Sequence, residues 1–249
     1  MISGPDLIVP DWPAPAGVRA AFTLRSGGVS QPPLDSLNLG SRVDDEPSAV
    51  AENRRRLRQL LDLPAEPAWL TQVHGARVAD LEAEGSDRVL APADGVVTHA
   101  NGRVCAIQVA DCMPVLFAAA DGSVIGAAHA GWRGLAAGVL EAVVRAMRVP
   151  PERVFAWLGP AIGQAHFEVG EEVRAAFLAA DSQAAAEFTA NPRGRWQCDL
   201  YGLAKRRLDA VGVAAVYGGG WCTYADPGRF FSYRRDGRCG RMAALIWRA

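Results

Sequence analysis

The hydrophobic positions of this chain fall into short dense runs between glycine- and proline-bearing turns, which predicts many strands and a few amphipathic helices. Three central runs, Val104–Val109, Val115–Ala119 and Ser123–Ala128, are almost wholly apolar, as expected of strands covered on both faces. Asp121-Gly122 joins the last two as a hairpin, and Asn101-Gly102 turns the chain into the first. Val18–Thr23, Trp69–Val73, Ala76–Ala79, Asp94–Thr98, Val154–Leu158, Val213–Tyr217, Phe230–Tyr233 and Met242–Trp247 read as further strands. A period near 3.6 places one helix at about 48–61, with Val50, Leu57, Leu60 and Leu61 inward, and another at Leu135–Met147. Two more, at about 170–180 and 199–211, frame a polar loop containing Asn191-Pro192-Arg193-Gly194. Capping residues and a proline at Asp45-Glu46-Pro47-Ser48 open the first helix, and Val149-Pro150-Pro151 stops the second. Residues 1–17, rich in Pro and Gly, are expected to carry little regular structure. No repeat, low-complexity tract or linker-like break divides the chain. One mixed α/β domain over residues 1–249, with helices outside a β core, is the expectation.

Composition excludes some function classes. The chain is 50% hydrophobic with a formal net charge of -1, so it can bury a sizeable core and lacks the basic excess of a nucleic-acid binder. No run approaches the roughly 18 apolar residues of a membrane helix. Met1–Asp6 lacks the basic start and apolar core of a signal peptide. The five cysteines, Cys105, Cys112, Cys198, Cys222 and Cys239, are odd in number and form no CxxC pair, which points to reduced thiols and a cytoplasmic setting. Arg54, Arg55, Arg56 and Arg58 read as the solvated face of the first helix. No obligate-interface stripe stands out, leaving a monomer or a weak homodimer.

The chemistry concentrates between Cys105 and Gly138. Asp111-Cys112 closes one apolar run, His129 closes another, and Gly131-Trp132-Arg133-Gly134 leads into a helix of small residues. His74 sits between two β-like pieces upstream. Imidazole and thiolate are ligands that zinc and copper prefer, and three ligands at strand ends leave a fourth position for water or substrate. The gaps of 38 residues (His74 to Cys112) and 17 residues (Cys112 to His129) are not a local metal signature. Two other readings stay open: Cys112 as a small buried hydrophobe among core histidines, or as a nucleophile with His129 or His74 as its base. His99 and His166 have weaker settings.

Candidate binding residues lie around this cluster. The Arg25–Ser30 loop could hold an anion through backbone N–H groups, the Arg25 guanidinium and the Ser30 hydroxyl, or be a plain Gly-Gly turn. Asn38 could orient a ligand or cap its loop, and Arg133 could face the pocket from a helix start. Arg234 and Arg235 follow an aromatic run, so one of them points inward if that run is a strand. Trp132, Phe230, Phe231 and Tyr233 could stack on a planar ring, although core packing serves each equally.

The segments TLRSGGVS, SLNLG, LTQVHGARV, ADGVVT, ADCMPVLFA, AAHAGWRGLAAGVLEA, LGPAIG, WCTY and FFSYRRDGRCGRMAALIWR together resemble the YfiH-like family. It is also called the multicopper polyphenol oxidase or laccase-domain family, and includes a human purine-metabolising enzyme of macrophages. The resemblance runs from Thr23 to Arg248. It implies a layered αββα sandwich and a zinc ion held by His74, Cys112 and His129. It implies phosphate-dependent cleavage of adenosine, inosine, guanosine and methylthioadenosine, together with adenosine deamination. Copper-dependent phenol oxidation and a cysteine amidase acting on a cell-wall precursor are the family's other described activities. Four histidines with no HxH pair are sparse for several copper centres. The family's segment after LGPAIG often carries a Cys where Ala165-His166-Phe167 stands here. On this reading Arg25, Ser30 and Arg234 hold phosphate, and Asp111 shuttles a proton or supports a metal ligand.

Overall fold

The computed structural model describes residues 7–83 and 91–249; Met1–Asp6, the start of the expected irregular leader, lies outside them. The first half of the chain forms β1 (Leu7–Ile8), β2 (Val18–Thr23), α1 (Pro47–Leu60), β3 (Ala68–Trp69), β4 (Val78–Asp80) and β5 (Gly95–Thr98). The central block follows as β6 (Val104–Val109), β7 (Met113–Ala119), β8 (Ile125–Ala130), α2 (Trp132–Ala136) and α3 (Val139–Ala146). Then come β9 (Val154–Leu158), β10 (Glu168–Val169), α4 (Glu171–Leu178), β11 (Phe188–Ala190), β12 (Trp196–Cys198) and α5 (Leu200–Ala210). β13 (Ala215–Gly218), α6 (Tyr233–Asp236) and β14 (Met242–Arg248) end the chain.

Side-chain alternation sets the layers. β7 is buried at every position because Met113, Val115 and Phe117 face helices while Leu116 and Ala118 face a second sheet. It lies in a six-stranded mixed sheet ordered β13-β9-β7-β8-β5-β4. The facing sheet has five strands, ordered β1-β2-β14-β6-β3. Between them pack Phe22, Ile107, Met242, Ala244 and Ile246 from one side and Val96, Leu116, Ile125 and Trp157 from the other. Val139, Leu140 and Val143 of α3 and Leu200, Leu203 and Leu208 of α5 cover the outer face of the six-stranded sheet. Leu57 of α1 covers the other outer face with Leu37, Leu39 and Leu63. The expected αββα layering is what forms, with mixed sheets. No described helix is long and apolar enough to cross a membrane, and all five cysteines are unpaired.

Several expectations are corrected. Phe230–Tyr233 is not a strand: Phe230 and Phe231 are fully buried in the intersheet core, and Ser232 caps α6 by accepting from the Arg235 N–H. The aromatic burial was real, but the chain turns instead of pairing. Leu135–Met147 is broken in two at Gly138, whose φ of 90° lies in the left-handed region. α1 buries Val50, Asn53 and Leu57, while Leu60 is 45% exposed and no side chain caps its start. The leader supplies an edge strand, β1, paired with β2. The expected strands on either side of His74 shrink to β3 and β4, leaving a loop between them. The expected polar loop contains part of a three-stranded sheet, β10-β12-β11.

Candidate metal centre and its pocket

Pairing of β7 with β8 places Pro114 opposite His129, so Cys112, just before β7, stands next to the end of β8. β5 pairs with β8 through Gly95 and Ala128, which brings Asp94 alongside His129. The His129 N–H donates to the Asp94 carbonyl at 2.7 Å. His74 comes from the β3–β4 loop with a left-handed φ of 62°, a conformation that a non-glycine residue holds only when its surroundings impose it. Here the buried Asp94 carboxylate imposes it, accepting from the backbone N–H groups of Val73 (3.1 Å), His74 (2.9 Å) and Gly75 (2.7 Å).

The ligating atoms of His74, Cys112 and His129 all lie within 4.8 Å of one another. Cys112 Sγ is 3.8 Å from His74 Nε2, and the two imidazole rings meet edge to face with centroids 4.7 Å apart. Among the described residues they form the one such group of three. Nδ1–H of His129 donates to Asp94 Oδ1 at 2.8 Å, which leaves Nε2 as the nitrogen available to a metal ion. Burial works against an ionised Cys112, but His129 and His74 beside it bring the thiol down to about 6. Burial likewise opposes an imidazolium at His129, yet the Cys112 thiolate and Asp94 raise it to about 9. Asp94, desolvated but facing His129 and the loop N–H groups, stays below the ordinary carboxylate range. A soft thiolate with two imidazoles is the donor set of an open zinc or copper site.

Space is reserved for this cluster. A Cβ on Gly131 would lie 2.8 Å from Cys112 Sγ and 3.1 Å from His74 Cδ2. Its φ of -68° suits any residue, so Gly131→Ala acts by crowding alone. It is expected to weaken zinc binding by roughly 10–100-fold, as changes beside metal ligands do, with unfolding unchanged; a chelator competition measures it. The thiol gives a second prediction. In metal-free protein Cys112 is expected to react with iodoacetamide at neutral pH, more slowly as pH falls through about 6, and to be protected by zinc. Burial holds Cys105, Cys198 and Cys239 above the usual thiol range, so peptide mapping should place early label away from them.

A cavity of about 450 Å³ opens onto the three side chains and is also lined by Arg42, Gln108, Tyr233 and Arg241. Such a volume suits a small molecule. The other expected binding residues stand elsewhere. Arg25 donates to the Asp35 and Pro227 carbonyls and lies over the Phe231 ring, which fixes its loop. Ser30 is buried against Asp45 and Asn53, and Asn38 is buried against Gly40, Asp45 and the Arg241 N–H. Gly28 packs so closely that a Cβ there would meet the Ser36 carbonyl at 2.1 Å, so this glycine serves packing. Arg133 is exposed over Trp132, and Arg234 donates to the Glu168 carbonyl. Asp111 has both carboxylate oxygens engaged, by the Thr223 hydroxyl (2.6 Å) and the Arg234 N–H (2.6 Å), so it clasps the α6 turn to the start of β7. Asp94, Arg42 and Arg241 were missed; Asp94 carried only the faint signal of a lone acid before an apolar run.

Residues 19–249 match the family model described as multi-copper polyphenol oxidoreductase laccase. A purine nucleoside phosphorylase of Pseudomonas aeruginosa is 57% identical over 242 residues, covering 96% of this chain and 97% of that protein. The purine nucleoside phosphorylase YfiH of Escherichia coli is 51% identical over 241 residues, covering 97% and 98%. A crystal structure from Neisseria meningitidis superposes with a TM-score of 0.91 at 46% identity, covering 97% and 98%. Fold, cluster geometry and these likenesses agree: the chain belongs to the YfiH family, whose family model bears the multi-copper polyphenol oxidoreductase laccase description.

Proposed function

We propose that this chain is a zinc-dependent purine nucleoside phosphorylase that accepts adenosine, inosine, guanosine and methylthioadenosine, and that it also deaminates adenosine at the same centre. The observation that carries the reading is the His74–Cys112–His129 cluster facing a nucleoside-sized cavity, in a chain whose relatives carry the phosphorylase name. His74, Cys112 and His129 would hold the ion, which when bound would supply Lewis-acid charge to the cavity they line.

The chain's own groups set the rest. Asp94 keeps the His129 Nδ1 proton in place and so presents Nε2, while the two histidines keep Cys112 ionised. Tyr233, 60% exposed at the cavity wall, offers a face on which a purine stacks. Phe230 and Phe231 are committed to the core and Trp132 to the helical layer. In phosphorolysis a phosphate oxygen forms a bond to the anomeric carbon as the bond to purine N9 breaks. The purine leaves with the bonding pair and takes up the proton of the hydrogen phosphate, giving free base and ribose 1-phosphate. Charge develops on both partners, so the pocket must hold an anion beside the sugar and exclude water.

One observation favours a second reading. A thiol near 6 beside a histidine is also the pair of a cysteine hydrolase, in which Cys112 attacks and His129 carries the proton. Product analysis separates them: with adenosine, the proposal expects adenine and ribose 1-phosphate only when phosphate is present, and inosine from the deaminase reaction. Unchanged adenosine under every condition would bring the hydrolase reading forward. Copper-dependent oxidation gains no further ligands from the other histidines, since His99 pairs with Glu82 and His166 stacks on Tyr224.

A further inference from the structure

Two guanidinium groups share the wall of the metal cavity, and neither forms an ion pair with a described residue. Most arginines here have partners: Arg54 donates to the Leu39 carbonyl, Arg55 and Arg56 pair with Glu52, Arg206 with Asp181 and Arg229 with Asp226. Arg42 is different. It lines the cavity, is exposed, and makes no hydrogen bond or ion pair to a described residue. Its loop is held in place from outside, because Arg238 donates to the carbonyls of Val43 and Asp44.

Arg241 is positioned more firmly. Its N–H donates to Asn38 Oδ1 at 2.9 Å, and its carbonyl accepts from the Leu39 N–H at 3.0 Å. Its side chain lies across Gly40, where a Cβ would meet Cγ at 2.7 Å. Nη1 is committed to the carbonyls of Cys239 and Gly240, leaving Nε and Nη2 without partners among the described residues. Three acids of the surrounding loops have their oxygens hydrogen-bonded elsewhere: Asp94 by the His74 loop and His129, Asp111 by Thr223 and the Arg234 N–H, and Asp45 by Ser30 and Asn38. Both guanidinium groups thus line the cavity without an ion-pair partner among the described residues.

We infer that Arg42 and Arg241 form an oxyanion subsite that holds inorganic phosphate beside the metal centre, in place of Arg25 and Ser30. A guanidinium with free N–H groups matches phosphate geometry, and two of them on one cavity wall attract the dianion. Asn38 then belongs to the subsite indirectly, as the buried side chain that fixes the Arg241 backbone. The role of this phosphate as attacking group rests on the phosphorylase reading; its binding does not.

The test uses the full chain loaded with zinc, with inorganic phosphate as the probe. Calorimetric titration, alone and with saturating adenine, is run on wild type, Arg42→Ala, Arg241→Ala, Arg42→Lys, and Arg133→Ala as a surface control. Each alanine variant should bind phosphate about 10–100-fold more weakly, the lysine variant should recover part of this, and the control should match wild type. In turnover, KM for phosphate should rise while KM for nucleoside stays within about twofold. Wild-type phosphate affinity in both alanine variants would overturn the subsite, as would a wild type that binds no phosphate under either condition. Binding that weakens as expected in a protein that cleaves no nucleoside would leave the subsite standing and remove the phosphorylase reading.

Discussion

Asp94→Ala is expected to cost the chain both its metal site and a large share of its stability. The residue is fully buried and its two oxygens accept four hydrogen bonds, from Val73, His74 and Gly75 N–H and from His129 Nδ1. Alanine strands all four donors and leaves the buried His129 without the carboxylate that supports its charge. Removing one member of a buried charged pair destabilises by about 3–5 kcal/mol, which for a chain of this size lowers the thermal midpoint by roughly 10 °C. The His74 loop would relax from its left-handed conformation, so the remaining folded protein should bind zinc at least about 10–100-fold more weakly. Asp94→Asn separates the two effects. An amide keeps one acceptor for His129 but sets its N–H₂ group against the loop donors, so it should recover much of the stability and little of the affinity. Thermal melts with and without zinc, and a chelator competition, read both quantities. Wild-type zinc affinity in Asp94→Ala would show that the loop and His129 hold their positions unaided.

The second large effect is the opposite combination, with activity lost and the fold kept. Cys112→Ser removes a half-buried side chain whose neighbours are His74 and His129. The serine hydroxyl stays protonated at neutral pH and cannot replace a thiolate ligand. Phosphate-dependent nucleoside cleavage should fall by on the order of 10³-fold or more, while the melting midpoint of the metal-free protein shifts by only a few degrees. A purely structural zinc site predicts the reverse, with folding and metal content lost together, because such sites use four protein ligands and supply folding energy directly. Circular dichroism of the metal-free variant therefore distinguishes a catalytic centre from a staple.

Much of this was legible from residue pattern, and the exceptions have physical causes. β6, β7 and β8 announced themselves because both their faces are covered, so almost every position is apolar. The candidate metal trio was visible as Cys and His at the ends of such runs. Asp94 was not, since an aspartate before a glycine looks like any turn and its importance comes only from β5 lying beside β8. Phe230 and Phe231 misled because buried aromatics fill an intersheet core as readily from a turn as from a strand. The Arg25–Ser30 loop reads differently in the fold than in the sequence. Its glycines and polar groups fit an anion cradle in sequence, but in the fold they satisfy one another against Asn53, Asp45 and Asp35. Arg42 and Arg241 had no local signal among so many arginines; only their shared cavity wall and their lack of an ion pair among the described residues set them apart.

The most direct test of the central claim is turnover of adenosine with phosphate by protein stripped of metal and then reloaded. The account predicts no cleavage by the stripped protein. About one equivalent of zinc per chain should restore adenine and ribose 1-phosphate, and Cys112→Ser should gain neither metal nor activity. A stripped protein that cleaves adenosine at the full rate would contradict the assignment of His74, Cys112 and His129 as the centre of the chemistry.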